Sequence, residues 1–255
     1  MQLAAGSGAL CLPYFVVATA FGYVSPLWAA VYLLAPPASV LLLTQARLQD
    51  PEQRGTWQDF AVLLSLGTAV DLRWMEPAWP SHLAVFNKVL LLDLGIIAFI
   101  GARHFKGVGF DLRLRVRDAA VGLREFVFYA PAAIAIGIAL GFLHWHHGWP
   151  RPTAVVTAAG FTFFFIAVPE ELFFRGWLQN LLEPRLGRHR ALLITAVLFG
   201  LAHFNKRAVH FNWRYVLLAA LAGLFYGRAW RQDRRVAASA ITHTLVDTVW
   251  SLCLR

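Results

Sequence analysis

Three short stretches in the last third of the chain carry residue types that can move protons or hold developing charge. They are Glu170-Glu171-Leu-Phe-Phe-Arg175, Phe199-Gly-Leu-Ala-His203, and the series Ser239, His243, Asp247. In the first, Glu171 and Arg175 stand four apart on one helix face, so they can pair, and the pairing keeps Glu171 charged. Glu170 is rotated away by about 100° and lacks that partner. Two adjacent carboxylates in different environments are a way to separate acid from base roles. The first and second stretches are joined by a turn expected between Pro184 and Arg188. Glu170 lies about 16 residues before its middle and His203 about 17 after, so at a rise of 1.5 Å per residue a helical hairpin brings them level. Ser239, His243 and Asp247, at four-residue spacing, share one face of the last helix.

Each set also has a plainer structural reading. Glu171 with Arg175 can be an ion pair at a helix end. His203 can be a core histidine, and the last stripe can be polar contact between helices. Glu, two His and Asp are also plausible zinc ligands, although no His-Glu-x-x-His helix is present. A serine hydrolase built on Ser239, His243 and Asp247 would lack the usual nucleophile turn. Ser239 is better read as a small residue for close helix packing.

The elements that position these residues are read from composition. Of 255 residues, 58% are hydrophobic and 15% charged, against about 25% charged in ordinary soluble domains. That excludes a disordered chain and argues against a single soluble globule. The first charged side chain is Arg47. The preceding stretch has room for two membrane spans of about 20 residues. It has no basic leader, so a retained segment is expected and not a cleaved signal. Apolar runs continue to the end. The fold class expected is all-α, a polytopic membrane bundle of eight or nine transmembrane helices. A kink is expected at Pro36-Pro37, and a short interfacial hairpin or strand in the basic stretch 103–117. The expected division is 1–118 for the N-terminal membrane helices and 119–255 for a catalytic core with its motifs in 155–253. Gly137-x-x-x-Gly141 and Gly223-x-x-x-Gly227 fit close helix packing.

The net charge of +9 would suggest nucleic acid on a soluble protein. Here the surplus falls in alternate loops. Arg47 and Arg54; Arg103, Lys106, Arg113, Arg115 and Arg117; Arg185, Arg188 and Arg190; and Arg228, Arg231, Arg234 and Arg235 lie on one side if there are nine spans. The positive-inside rule makes that side cytoplasmic and places the N-terminus inside. The partner is then a lipid bilayer and no nucleic acid. Lys206-Arg207 with Arg214 is the exception on the other side. Trp57, Trp145, Trp149, Trp213 and Trp230 fall near span ends, as an aromatic belt would. Lys88 and Asp93, five residues apart, could line a polar pathway, but they are better read as satisfying each other or the bundle, or as sitting near an interface. Cys11 and Cys253 read as buried small hydrophobes, and His144-Trp-His146-His147 as an interfacial patch.

Glu-Glu-x-x-x-Arg, Phe-x-x-x-His and His-x-x-x-Asp, in that order and each on its own helix, resemble the CPBP family. This family comprises CAAX-type prenyl endopeptidases and bacteriocin-processing or immunity (Abi) proteins. The resemblance covers about residues 155–253, and it implies an intramembrane glutamic endopeptidase. Carried over by motif, Glu170 is the catalytic glutamate, His203 its partner in activating water, Glu171 and Arg175 the supporting pair, and His243 an oxyanion residue. Asp247 stands where the family usually has Asn. An ionised Asp cannot donate to an oxyanion, so Asp247 is either protonated or accepts from His243 and orients it. The resemblance implies no cofactor, zinc being the alternative. It implies a membrane-associated protein or peptide as substrate, and the cytoplasmic membrane of a prokaryote as location. A non-proteolytic scaffold or immunity protein is the remaining alternative.

Overall fold

Capping residues, prolines and left-handed glycines cut the apolar runs into helices. The computed structural model describes residues 2–254 except 112, 146, 147, 149, 205 and 207–210. The chain divides into two compact units, Met1–Lys106 and Gly107–Arg255. The described residues are mostly helical, with no strand among them.

In the first unit, α1 spans Gln2–Phe21 and α2 spans Pro26–Gln49. Gly22, at φ 72°, ends α1 in the left-handed region that favours glycine. The helix of α2 runs on through Pro36 and Pro37, which neighbouring helices can accommodate. Helix α3, Trp57–Asp71, opens on a capping box in which Thr56 and Asp59 satisfy each other's backbone N–H groups. Helix α4 spans Ser81–Ala102, and its last part, Ile96–Ala102, widens to a π-helix. Stacked Tyr14 and Tyr32, with ring centres 4.4 Å apart, and buried Trp79 form an aromatic core. Trp79 donates to Tyr32 Oη at 2.6 Å, and Tyr32 donates to Asn87. Lys88 lies 3.9 Å from Glu76. Of the alternatives open for Lys88, this is satisfaction by another part of the bundle and not by Asp93.

In the second unit, α5 spans Val116–Ala139. A long apolar helix, Pro152–Leu201, follows. Gly187, at φ 76° and ψ 162°, breaks it, and we label its arms α6 (152–186) and α7 (188–201). Helices α8, Trp213–Asp233, and α9, Val236–Cys253, complete the unit. Helices α7 and α8 cross so closely that a Cβ on Gly200 would lie 2.5 Å from the Val216 carbonyl oxygen. Gly223 packs on Ala196 in the same crossing. Gly137 and Gly141 differ from the packing expected of them. A Cβ on Gly137 would meet Leu143 at 2.4 Å, and Gly141, at φ 62°, has nothing near it. This pair therefore turns the chain at the end of α5 and does not join two helices.

Five stretches are long and apolar enough to cross a membrane: Gln2–Phe21, Pro26–Gln49, Ser81–Ala102, Val116–Ala139 and Pro152–Leu201. No more than 33% of any of these windows is buried within the protein. Large side chains such as Leu12, Val16, Leu27, Leu64 and Phe164 are exposed. So much outward apolar surface requires lipid and not water. The all-α membrane architecture holds, but the five stretches do not establish the count of eight or nine spans. Helix α3, at 15 residues, falls short of the usual span length of about 20.

The basic stretch 103–117 forms neither strand nor hairpin among its described residues. Its polar groups are used elsewhere. Arg103, fully buried, binds Asp59 at 2.8 Å and Asp50 at 2.7 Å. The Val108 carbonyl accepts from Trp230 Nε1 and the Gly109 carbonyl from the Val236 amide. Gly109, at φ 75°, lies so close to the Arg234 carbonyl that a Cβ would be 1.9 Å from its oxygen. Trp57, Trp145 and Trp213 are exposed as an aromatic belt requires, whereas Trp230 is buried and Trp149 lies outside the described residues. Cys11 is buried and Cys253 only partly so. His146, His147 and Arg207 also lie outside the described residues.

Candidate active site

Glu170 and Glu171 sit in one α-helical turn, Val168–Glu171, between two π-helical stretches, Phe163–Ala167 and Leu172–Gln179. Wide turns of this kind often accompany functional sites. They alter the pitch on both sides of the two carboxylates, which a regular 3.6-residue period does not anticipate.

Glu171 is fully buried, accepts hydrogen bonds from two side chains of α9 and forms an ion pair with Arg175. Arg175 Nε lies 3.0 Å from Oε2. Ser239 Oγ donates to the same oxygen. His243 Nδ1 lies 2.9 Å from Oε1. A carboxylate can only accept, so Nδ1 carries a proton. Arg175, also fully buried, donates to the Gly223 carbonyl at 3.2 Å. Its guanidinium stands 4.8 Å from the centre of the Phe199 ring and between 5.6 and 5.7 Å from those of Tyr226 and Phe174. Rings at that range favour a cation.

Glu170 is set apart from this hub. Its side chain keeps 28% exposure. Oε1 lies 3.9 Å from Lys206 Nζ. Oε2 is buried with no hydrogen-bond donor among the described residues, 4.0 Å from His243 Nε2. His243 Nε2 also faces Asp247 Oδ2 at 3.5 Å. That is longer than a good hydrogen bond, so Glu171 is the carboxylate that holds the ring.

On α7 the last turn ends at Leu201, and His203 follows it. His203 is buried, and its Nδ1 lies 2.8 Å from the Phe199 carbonyl. The carbonyl can only accept, so Nδ1–H donates and Nε2 remains as an acceptor. His203, His243, Asp247 and Tyr226 line a cavity of about 70 Å³ whose other walls are largely apolar. A water needs roughly 10–15 Å³ by this measure, so several fit. Among the described residues, no three His, Cys, Asp or Glu side chains are grouped to hold a metal ion.

All six residues expected from the motifs are in this unit. Glu170, Glu171, Arg175, His243 and Asp247 are linked through the contacts above, and His203 shares the cavity with the last two. Ser239, the hydroxyl of the serine-hydrolase alternative, is fully buried, and its contacts are Glu171 and the Tyr226 carbonyl at 2.9 Å. The motifs did not indicate Tyr226, Phe199's ring contacts or Lys206. Gly223-x-x-x-Gly227 was the nearest signal, since it brings α8 against the helices that bear the site.

Residues 152–249 match the family model described as type II CAAX prenyl endopeptidase Rce1-like. This segment is similar to that family, in keeping with the CPBP resemblance, and the family so described is one of prenyl endopeptidases. No curated protein and no solved structure matches the chain.

Proposed function

We propose that the chain is an intramembrane endopeptidase of the glutamic type, which hydrolyses a peptide bond of a membrane-associated protein. The observation that carries this reading is the division of labour between the two glutamates. Glu171 is held by hydrogen bonds from Ser239 and His243 and by an ion pair with Arg175. Glu170 has a buried oxygen that no donor among the described residues claims, beside His243. The first is built to hold other groups in place, and the second to accept a proton.

In the mechanism that follows, Glu170 takes a proton from a water that the unprotonated Nε2 of His203 helps to orient. The water oxygen attacks the scissile carbonyl carbon. His243 stabilises the oxyanion. Because Nδ1–H is committed to Glu171, His243 can donate from Nε2 only as an imidazolium. Three neighbouring carboxylates, Glu171, Asp247 and Glu170, suit that charge. As the C–N bond breaks, Glu170 returns the proton to the leaving amine nitrogen. Low dielectric around the site strengthens each of these interactions. No cofactor is required in this scheme.

The family's description suggests the substrate class, a protein whose cysteine near the C-terminus carries a prenyl group. Two tests apply. Internally quenched peptides, identical except for a prenylated cysteine, should be cleaved by the wild-type chain and not by Glu170→Gln. Preference for the prenylated peptide supports the substrate class, and equal cleavage overturns it while leaving the protease. Comparative membrane proteomics of cells carrying wild-type or Glu170→Gln protein should show uncut precursors in the variant. Full processing by Glu170→Gln refutes the glutamic mechanism. Activity that survives chelation, in purified protein holding only substoichiometric metal, separates this mechanism from a zinc protease.

A further inference from the structure

Tyr226 is almost wholly buried against the site, and the mechanism above gives it no part. Its ring lies nearly parallel to that of His243, at 14° with centres 4.6 Å apart. Phe199 meets both rings edge-on, at 5.6 Å from Tyr226 and 5.8 Å from His243. Tyr226 also presents its ring to Arg175, and its backbone carbonyl accepts from Ser239. It thus touches each of the three groups that bind Glu171.

The stack supplies a restraint that Glu171 alone does not. A hydrogen bond to Nδ1 fixes one atom of the His243 ring and leaves the plane free to turn about that contact. A parallel ring removes this freedom. A cationic imidazole also gains from an aromatic face. Misplacing a reacting group by about 1 Å costs on the order of 100-fold in rate.

We infer that Tyr226 is a positioning residue whose ring fixes the plane of His243 and so aims Nε2 into the cavity. This rests on the endopeptidase reading for its effect on rate, but not for its effect on the ring. The first measurement therefore needs no substrate. In detergent-solubilised, histidine-labelled protein, the His243 ring protons, assigned by their loss in His243→Gln, should resonate upfield because of the stacked ring. They should stay upfield in Tyr226→Phe and move downfield in Tyr226→Leu. Resonances that do not move in Tyr226→Leu overturn the inference.

The second measurement uses the quenched peptide that the wild-type chain cleaves. Tyr226→Leu should lose about 100-fold in kcat with KM changed less than about threefold, and Tyr226→Phe should recover kcat to within about threefold of wild type. A Tyr226→Phe loss as deep as that of Tyr226→Leu assigns the effect to the hydroxyl and overturns the stacking role. If Tyr226→Leu shows no cooperative unfolding transition, Tyr226→Met, which also lacks a ring, takes its place with the same expectations. Full cleavage by Tyr226→Leu beside an inactive Glu170→Gln overturns this inference alone. Full cleavage by Glu170→Gln overturns the endopeptidase reading, and the resonances still decide the stack.

Discussion

Glu171 is the residue on which the others depend. It is buried, paired with Arg175 and hydrogen-bonded by Ser239 and His243, so removing the guanidinium leaves charge uncompensated in a low-dielectric place. Arg175→Met should cost about 3–5 kcal/mol of stability, the usual penalty for breaking a buried pair from one side. The measurement is thermal unfolding in detergent. Arg175→Lys should recover only part of the loss, because a point ammonium cannot reach both Glu171 and the Gly223 carbonyl. Relative rates separate Glu171 from Asp247 as the group that orients His243. Glu171→Gln should lower kcat more than Asp247→Asn does, since Glu171 lies 2.9 Å from the ring and Asp247 3.5 Å. The reverse order would make Asp247 the orienting residue. Part of this was legible in the sequence. The Glu171–Arg175 pair follows from helical spacing. The bond from Glu171 to His243 crosses 72 positions in the chain. Local periodicity carries no information about such a contact. Tyr226 was hidden for a different reason, because a tyrosine in an apolar helix looks like ordinary core.

Helices place these residues through close approach and through departures from the regular period. Glycines in α7 and α8 let the backbones meet. Gly200→Ala should therefore cost about 1–3 kcal/mol, since its Cβ would press on backbone that cannot yield. Gly160→Ala on α6 meets nothing within 4 Å, and should stabilise by about 0.5–1 kcal/mol through lost backbone freedom. Unfolding midpoints of the two variants in one detergent check the pair, and equal shifts would refute the packing role of Gly200. The small-x-x-x-small spacing correctly marked Gly223 but misread Gly137, which closes a turn. Spacing alone does not distinguish a glycine that admits a neighbour from one that ends a helix. The π turns around Glu170 and Glu171 were likewise invisible, because a one-residue widening leaves the apolar pattern nearly unchanged.

At the scale of the whole molecule, a chain poor in charge uses several of its charges inside itself. Asp50, Asp59 and Arg103 link the end of α2, the start of α3 and the segment after α4. Burial by itself raises the Asp50 carboxyl, but the Arg54 and Gly55 amides and the Arg103 guanidinium outweigh it and hold the group below its ordinary value of 3.8. A carboxyl held low in the folded state stabilises that state above its unfolded pKa, and the benefit is lost as pH falls through the lowered value. The unfolding temperature should thus be insensitive to this group at neutral pH and fall under acid. Asp50→Asn should be less stable at pH 7 and lose part of that acid sensitivity; an unchanged acid profile would refute the assignment. This use of arginine also bears on the charge count read from the sequence. Arg103 and Arg235 are buried in ion pairs, so a basic segment that reads as membrane-surface charge is partly internal structure.

Arg235 carries one more consequence. It immediately precedes α9 and is held by Asp118, Asp111 and the Arg113 carbonyl, while the next residue, Val236, is tied to Gly109. His243 lies eight residues further along, about 12 Å of helix. That interval is a ruler with a fixed zero. One residue inserted into it would turn the imidazole by about 100° and carry it off Glu171. The length of this half of α9 is therefore expected to resist insertions and deletions across descendants of this gene, even where its apolar side chains drift.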